Sequence, residues 1–265
     1  MKKILYANGD SMTYGMEILG DKNRQEENKD YAYPAELSKL LGIETTINAA
    51  YCGAPNEFIF RKTIVDLLEL EKMGHDPQDI FVVIGWSSIC RGEIYLKEIV
   101  DKLFKEKNST KHDTFEMPEL DDFGTGFLNP GFQQGIWFND GTKKNLFDEV
   151  MPLFVDFIWQ DPLEFEKWFS QQIALENFLR NRGYDFLFFN AVHIFSELYS
   201  SEQTQILLDN FKSDNYYSPL TFSFTQWANL NYPGEKRELH HYSSVVHAAF
   251  ADLLYNYITG CKLIT

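Results

Sequence analysis

A chain of 265 residues with 44% hydrophobic residues is long enough for one sizeable α/β domain or two small ones and too apolar for a disordered chain. Its formal net charge of −15, with no dense Lys/Arg run, sets it against nucleic acid and anionic membrane surfaces, which it would repel. Cys52, Cys90 and Cys261 form no C-x-x-C pair and no disulfide framework. The apolar run at the N-terminus is too short for a signal peptide, and no stretch reaches the ~20 apolar residues of a membrane helix. A cytoplasmic protein acting on a neutral or weakly charged substrate is the expectation.

The elements follow in chain order. Ile4 to Ala7 reads as a buried parallel strand ended by a Gly9-Asp10 turn. Pro34 to Leu41 has helical spacing, with Pro in the first turn and Gly42 past the end. Ile43 to Ala49 is a second strand. Glu57 to Met73 places Ile59, Ile64, Leu67 and Leu68 on one helical face, closed by Gly74. Ile80 to Ile84 is the clearest buried strand. Residues 105–160 break the rhythm, being aromatic-rich with Gly124, Gly126, Gly131 and Gly135, and read as an insertion. Leu163 to Arg182 is a long amphipathic helix closed by Gly183, Asp185 to Phe189 a fourth strand, and Val245 to Tyr257 a final helix. Strands alternating with helices predict βαβ units and a parallel sheet covered on both faces, with chemistry at the carboxyl ends of the strands.

Those ends carry the polar residues. Gly9-Asp10-Ser11 follows the first strand, Asn48 to Gly53 the second, and Gly85-Trp86-Ser87-Ser88 the third. Glu238-Leu239-His240-His241 precedes the last helix. A serine at a strand-to-helix turn is exposed beside a helix N-terminus, which favours charge developing next to it. A histidine before the final helix can reach that serine, and a carboxylate three residues earlier can hold its tautomer. His240 has Arg237 at that offset and His247 has Ser244, so His241, with Glu238, is the candidate base.

Ile4 to Gly15, with Gly9-Asp10-Ser11 and a glycine four residues after the serine, resembles the first block of the SGNH/GDSL hydrolases. Asn48 to Gly53 resembles their second block, and His241 to Leu254 their last. The resemblance implies a three-layer α/β/α sandwich with a flavodoxin-like parallel sheet, one domain over 1–265, and an esterase mechanism. It casts Ser11 as nucleophile, His241 as base and Glu238 as the orienting acid. The oxyanion hole would be the backbone N–H groups of Ser11 and Gly53, helped by the Ser87 hydroxyl. No cofactor or metal is implied. The substrate class is a small-molecule or carbohydrate ester, with O-acetyl groups on a carbohydrate as one case.

The sequence departs from that family at four places. Its third block is Gly-x-Asn-Asp, and Gly85-Trp86-Ser87-Ser88 has no Asn. Glu238 stands for the usual Asp, Ala50 for a glycine, and Tyr242 for the proline after the catalytic histidine. A Trp-Ser third block followed by an arginine, here Arg91, is similar to SGNH-like proteins of tailed phages and bacteria, which would allow virion association. Asp10, Asn56, Trp86 and Arg91 are the candidate substrate-binding residues. Asn56 has a competing role as the cap of the following helix, and Arg91 as a partner of Glu93. His247 reads as structural, and the aromatic insertion as a lid beside Ser11. A non-catalytic binding module and an acyltransferase stand as the rival functions, and the oligomeric state is left open.

Overall fold

The computed structural model describes residues 2–20, 25–89, 91–95, 125–128, 136–137, 143–144, 161–192, 206, 214–218, 222–237 and 241–264. Four parallel strands form the central sheet: β1 (Ile4–Asn8), β2 (Thr45–Asn48), β3 (Ile80–Trp86) and β8 (Asp185–Asn190), in the order β2-β1-β3-β8. A parallel bridge from Phe188 to Tyr216 extends the sheet beyond β8. Between β3 and β8 lie two antiparallel pairs, β4 (Gly92–Tyr95) with β5 (Thr125–Leu128) and β6 (Ile136–Trp137) with β7 (Lys143–Lys144). The helices are α1 (Ser11–Tyr14), α2 (Gln25–Asn28), α3 (Tyr33–Leu41), α4 (Asn56–Lys72), α5 (Asp161–Arg182), α6 (Phe224–Asn231) and α7 (Ser244–Gly260).

The period-two alternation of the strands divides the core. Ile80, Val82, Ile84 and Trp86 of β3 face one side with Tyr6, Phe186 and Phe188, against Phe58, Ile59 and Leu67 of α4 and Phe165, Phe169, Leu175 and Leu179 of α5. Phe81 and Val83 face the other side with Leu5, Leu187 and Phe189. Tyr33 and Leu37 of α3, Phe224 of α6, and Val246, Phe250 and Leu254 of α7 cover that side. Helices therefore pack on both faces of a parallel sheet, as the three-layer α/β/α reading requires. Strands buried on both faces are apolar along their whole length, which is why β1 and β3 read so plainly from sequence.

The helix stops fall where glycine was expected. Gly42, Gly74 and Gly183 all have positive φ, at 67°, 94° and 81°. The strand predicted over 43–49 is shorter, because Ile43 is taken into the turn that closes α3 through its N–H to Ser38 carbonyl, 2.9 Å. None of the described helices is long and apolar enough to cross a membrane. Most of 105–160 lies outside the described residues, and with it the lid expected beside Ser11; the described strands β5 to β7 are all that is seen of it.

Candidate active site

The carboxyl end of the sheet is built around α1, a single turn riding directly on the ends of β1 and β3. Asp10 caps it, its Oδ1 accepting from Met12 N–H at 3.0 Å, and Gly15 ends it in the left-handed region at φ 86°. The turn sits so close that Thr13 Oγ1 occupies the space a Cβ would need at both Gly9 and Gly85, 2.2 Å and 2.7 Å from those positions. That contact gives Gly85 its reason for lying in the third block. Asn8 anchors the same corner to α4, donating to Thr63 Oγ1 at 2.9 Å and accepting from Gly9 N–H at 2.8 Å.

Ser11 is the first residue of α1 and 6% exposed. Among the described residues its Oγ makes no hydrogen bond and its N–H has no acceptor. The loop after β2 is drawn against it: Asn48 Nδ2 donates to Thr13 carbonyl at 2.9 Å, and Tyr51 N–H to Gly9 carbonyl at 3.1 Å. Tyr51 and Ala54 close a turn at 3.1 Å with Gly53 at φ 78°, the geometry of a type II turn. The Gly53 N–H likewise donates to no described residue. The N–H groups of Ser11 and Gly53 are thus uncommitted among the described residues, a condition the expected oxyanion hole requires.

Ser87 is different and corrects the expectation for it. Its N–H donates to Asn56 Oδ1 at 2.8 Å and its carbonyl accepts from Asn56 Nδ2 at 3.1 Å. Its hydroxyl donates to Asp10 Oδ2 at 3.1 Å while accepting from Arg91 Nη1 at 2.6 Å. A hydroxyl has one proton, and this one is given to a carboxylate, so Ser87 has no donor left for an oxyanion. Asn56 in turn does not cap α4, whose N-cap is Pro55; it is 3% exposed and clamps the backbone at the end of β3.

The other candidate binding residues are also claimed internally. Asp10 is fully buried and forms an ion pair with Arg91 Nη1 at 2.7 Å. The Arg91 side chain is 10% exposed, with Asp10 as its ion-pair partner among the described residues. Trp86 is 1% exposed, with its ring edge-on to Phe188 at 5.6 Å, and belongs to the core on the α4 and α5 side. Long polar side chains at strand ends look like ligand contacts in sequence, yet each is needed here to neutralise or fill the corner under α1.

His241 is 7% exposed and held by its backbone, its carbonyl accepting from Arg237 N–H at 2.8 Å. Tyr242, where proline was expected, anchors the loop: it is 1% exposed and its hydroxyl bonds Thr225 carbonyl at 3.1 Å and Asn229 Oδ1 at 3.0 Å. The ring's Nδ1 lies 3.1 Å from Glu17 Oε2. Burial is the main influence on the ring and lowers its pKa below the ordinary histidine value, partly offset by Glu17 and Asp10, while Arg91 adds to the lowering. Glu17, which touches the ring, follows directly on the turn whose Met16 N–H bonds back to Ser11 carbonyl at 3.0 Å, so the ring contacts the segment that begins at Ser11. His247 takes the structural role expected of it: its Nδ1 accepts from Tyr33 N–H at 3.2 Å, and burial pushes its pKa down to about 3.

Glu238 lies outside the described residues. The carboxylate seen at His241 is Glu17, which sequence reasoning passed over. Its mark in the sequence is slight, a lone acid in the run Met16-Glu17-Ile18-Leu19 between Gly15 and Gly20.

A family model described as a family of unknown function (DUF6071) matches residues 16–114, less than half of the chain. No curated protein matches it. Among solved structures, one similar in arrangement is a carbohydrate esterase whose active site is described as displaying divergent catalytic and non-catalytic binding functions. It has 12% identity and a TM-score of 0.48 over 98% of this chain and 69% of the other. A second, from the lipolytic G-D-S-L family of Desulfitobacterium hafniense DCB-2, has 12% identity and a TM-score of 0.45 over 97% and 99%. At this distance the fold rests on the strand order and the two packed faces, and function rests on the site.

Proposed function

We propose that this protein is a serine hydrolase of carboxylic esters, with Ser11 as nucleophile and His241 as general base. The observation that carries the reading is the contrast of commitments in one buried corner. Asp10, Ser87 and Arg91 pair with one another, while the Ser11 hydroxyl, its N–H and the Gly53 N–H are not committed to any described residue.

Ser11 Oγ attacks the ester carbonyl carbon as its proton passes to the His241 ring. The carbonyl oxygen takes up the negative charge and is held by the N–H groups of Ser11 and Gly53. His241 returns the proton to the leaving alcohol, giving an acyl-serine. Water, deprotonated by the same ring, then releases the acid and restores Ser11. The depressed histidine pKa keeps the ring neutral at neutral pH, the form a base requires. An O-acetylated carbohydrate is one substrate that fits this chemistry. Acyl transfer to a second alcohol differs only in the acceptor.

The test is turnover of a panel of aryl acetates and longer-chain esters by the parent protein and Ser11→Ala. Turnover that disappears in the variant supports the reading. A parent inert on every ester, or a variant as active as the parent, rejects it in favour of a binding module. The spent Ser87 hydroxyl is the observation on that rival's side, since a third oxyanion donor is missing and such a donor is worth about 10²–10³ in rate.

A further inference from the structure

The carboxylate three residues before His241 is the acid that sequence pattern singles out, but the structure puts another one on the ring. Glu17 is 6% exposed, and its Oε2 lies 3.1 Å from His241 Nδ1 across 224 positions of sequence. It is brought there by an unusual backbone. Met16 N–H still bonds back to Ser11 carbonyl at 3.0 Å, Gly15 is left-handed, and Glu17 itself has φ 61°, a region that costs a non-glycine residue energy. Gly20 N–H closes the turn on Glu17 carbonyl at 2.9 Å. The segment after the nucleophile therefore doubles back, and what it delivers into the corner is a single carboxylate.

We infer that Glu17 is the positioning carboxylate of the site, accepting from His241 Nδ1–H and so leaving the Nε2 lone pair to receive the Ser11 proton. This rests on the hydrolase reading for its catalytic consequence, though not for the pairing itself. The physical argument is one of tautomers. A neutral imidazole carries one proton, and a carboxylate, which only accepts, fixes it on the nitrogen it faces. Among the described residues, the other charges acting on the ring are Asp10 and Arg91, which are paired to each other, and His247, which is held neutral by burial. Nucleophile and positioning acid then come from one stretch of chain, Ser11 to Glu17, and only the base comes from elsewhere.

Two measurements test this. In ester turnover, Glu17→Gln should lower kcat by about 10²–10⁴ with KM within about threefold, because an amide can present N–H to the ring and favour the wrong tautomer. Glu17 raises the His241 pKa, so its loss should move the acid limb of the kcat/KM profile to lower pH. Glu17→Asp should recover part of the loss, and Glu238→Gln should stay within about threefold of the parent. A full rate in Glu17→Gln together with a large loss in Glu238→Gln overturns the assignment. The second measurement needs no activity: ¹⁵N NMR of the histidine rings at neutral pH should show His241 protonated on Nδ1 in the parent and in Glu238→Ala, and altered in Glu17→Gln. His241 protonated on Nε2 in the parent overturns the inference even if Glu17→Gln does not fold. An inert protein with an Nδ1-protonated His241 would reject the hydrolase reading and leave the pairing standing.

Discussion

The ends of β1 and β3 lie side by side, each with a glycine, a serine and a buried acid or amide within reach, yet they are wired oppositely. At β3 the Ser87 N–H, carbonyl and hydroxyl are all engaged, by Asn56, Asp10 and Arg91. At β1 the Ser11 hydroxyl and N–H answer to no described residue. Residue type does not separate the two serines; hydrogen-bond accounting does. One strand end is a saturated frame, and the other keeps a serine whose hydroxyl and N–H no described residue takes.

The sharpest way to break this contrast is to exchange the roles by mutation. Ser11→Ala should lower kcat for an aryl ester by 10³-fold or more, on the order of 4 kcal/mol, with unchanged far-UV circular dichroism, and His241→Ala should do comparable damage since the two act as a unit. Arg91→Ala attacks the frame instead. It leaves the buried Asp10 charge unpaired and should cost roughly 3–5 kcal/mol of stability by urea unfolding. An Arg91→Ala protein as stable as its parent would mean the frame is not structural.

The two histidines repeat the contrast, and pH separates them. His247 has a folded pKa of about 3 against 6.5 for the ordinary group, so the unfolded chain binds the extra proton between those values. Its contribution to stability is complete above pH 6.5 and is lost as pH falls toward 3, amounting to roughly 2 kcal/mol by pH 5. His247→Asn should flatten that part of the stability profile, whatever its effect at pH 7. The smallest expected effect is the most discriminating. Ser87→Ala should change kcat less than about threefold while losing about 1 kcal/mol of stability, because its proton already belongs to Asp10. A hundredfold fall in kcat at unchanged stability would return Ser87 to the oxyanion hole.

The framework was legible because its determinants are local. The continuous apolar runs of β1 and β3, and the positive-φ glycines Gly42, Gly74 and Gly183, speak through local sequence alone. The short α6 was missed: at eight residues it spans barely two turns, and Phe224 is fixed by rings from α7, with Phe250 at 4.5 Å. Ser11 and His241, the proposed nucleophile and base, stand out in the sequence by motif. Trp86, Asn56 and Arg91 were misplaced, since a strand-end position does not tell whether a side chain turns toward solvent or under α1. Glu17 was invisible for a related reason, because its partner is distant in sequence and its backbone conformation is one no propensity favours.

The register of β3 against β8 pairs Phe81 with Asp185, so closing the sheet brings together segments separated by roughly a hundred residues. Loop-closure entropy must be met before that ladder returns any hydrogen bonds, and parallel pairings of such reach fold slowly. Ser11, Gly53, Asn56, Ser87 and Arg91 all precede the long connection, whereas His241 follows it. Until β8 docks, the apolar edge of β3 has no neighbour on that side. During refolding this edge is where self-association competes with the native fold, and dilution should raise the yield of folded protein.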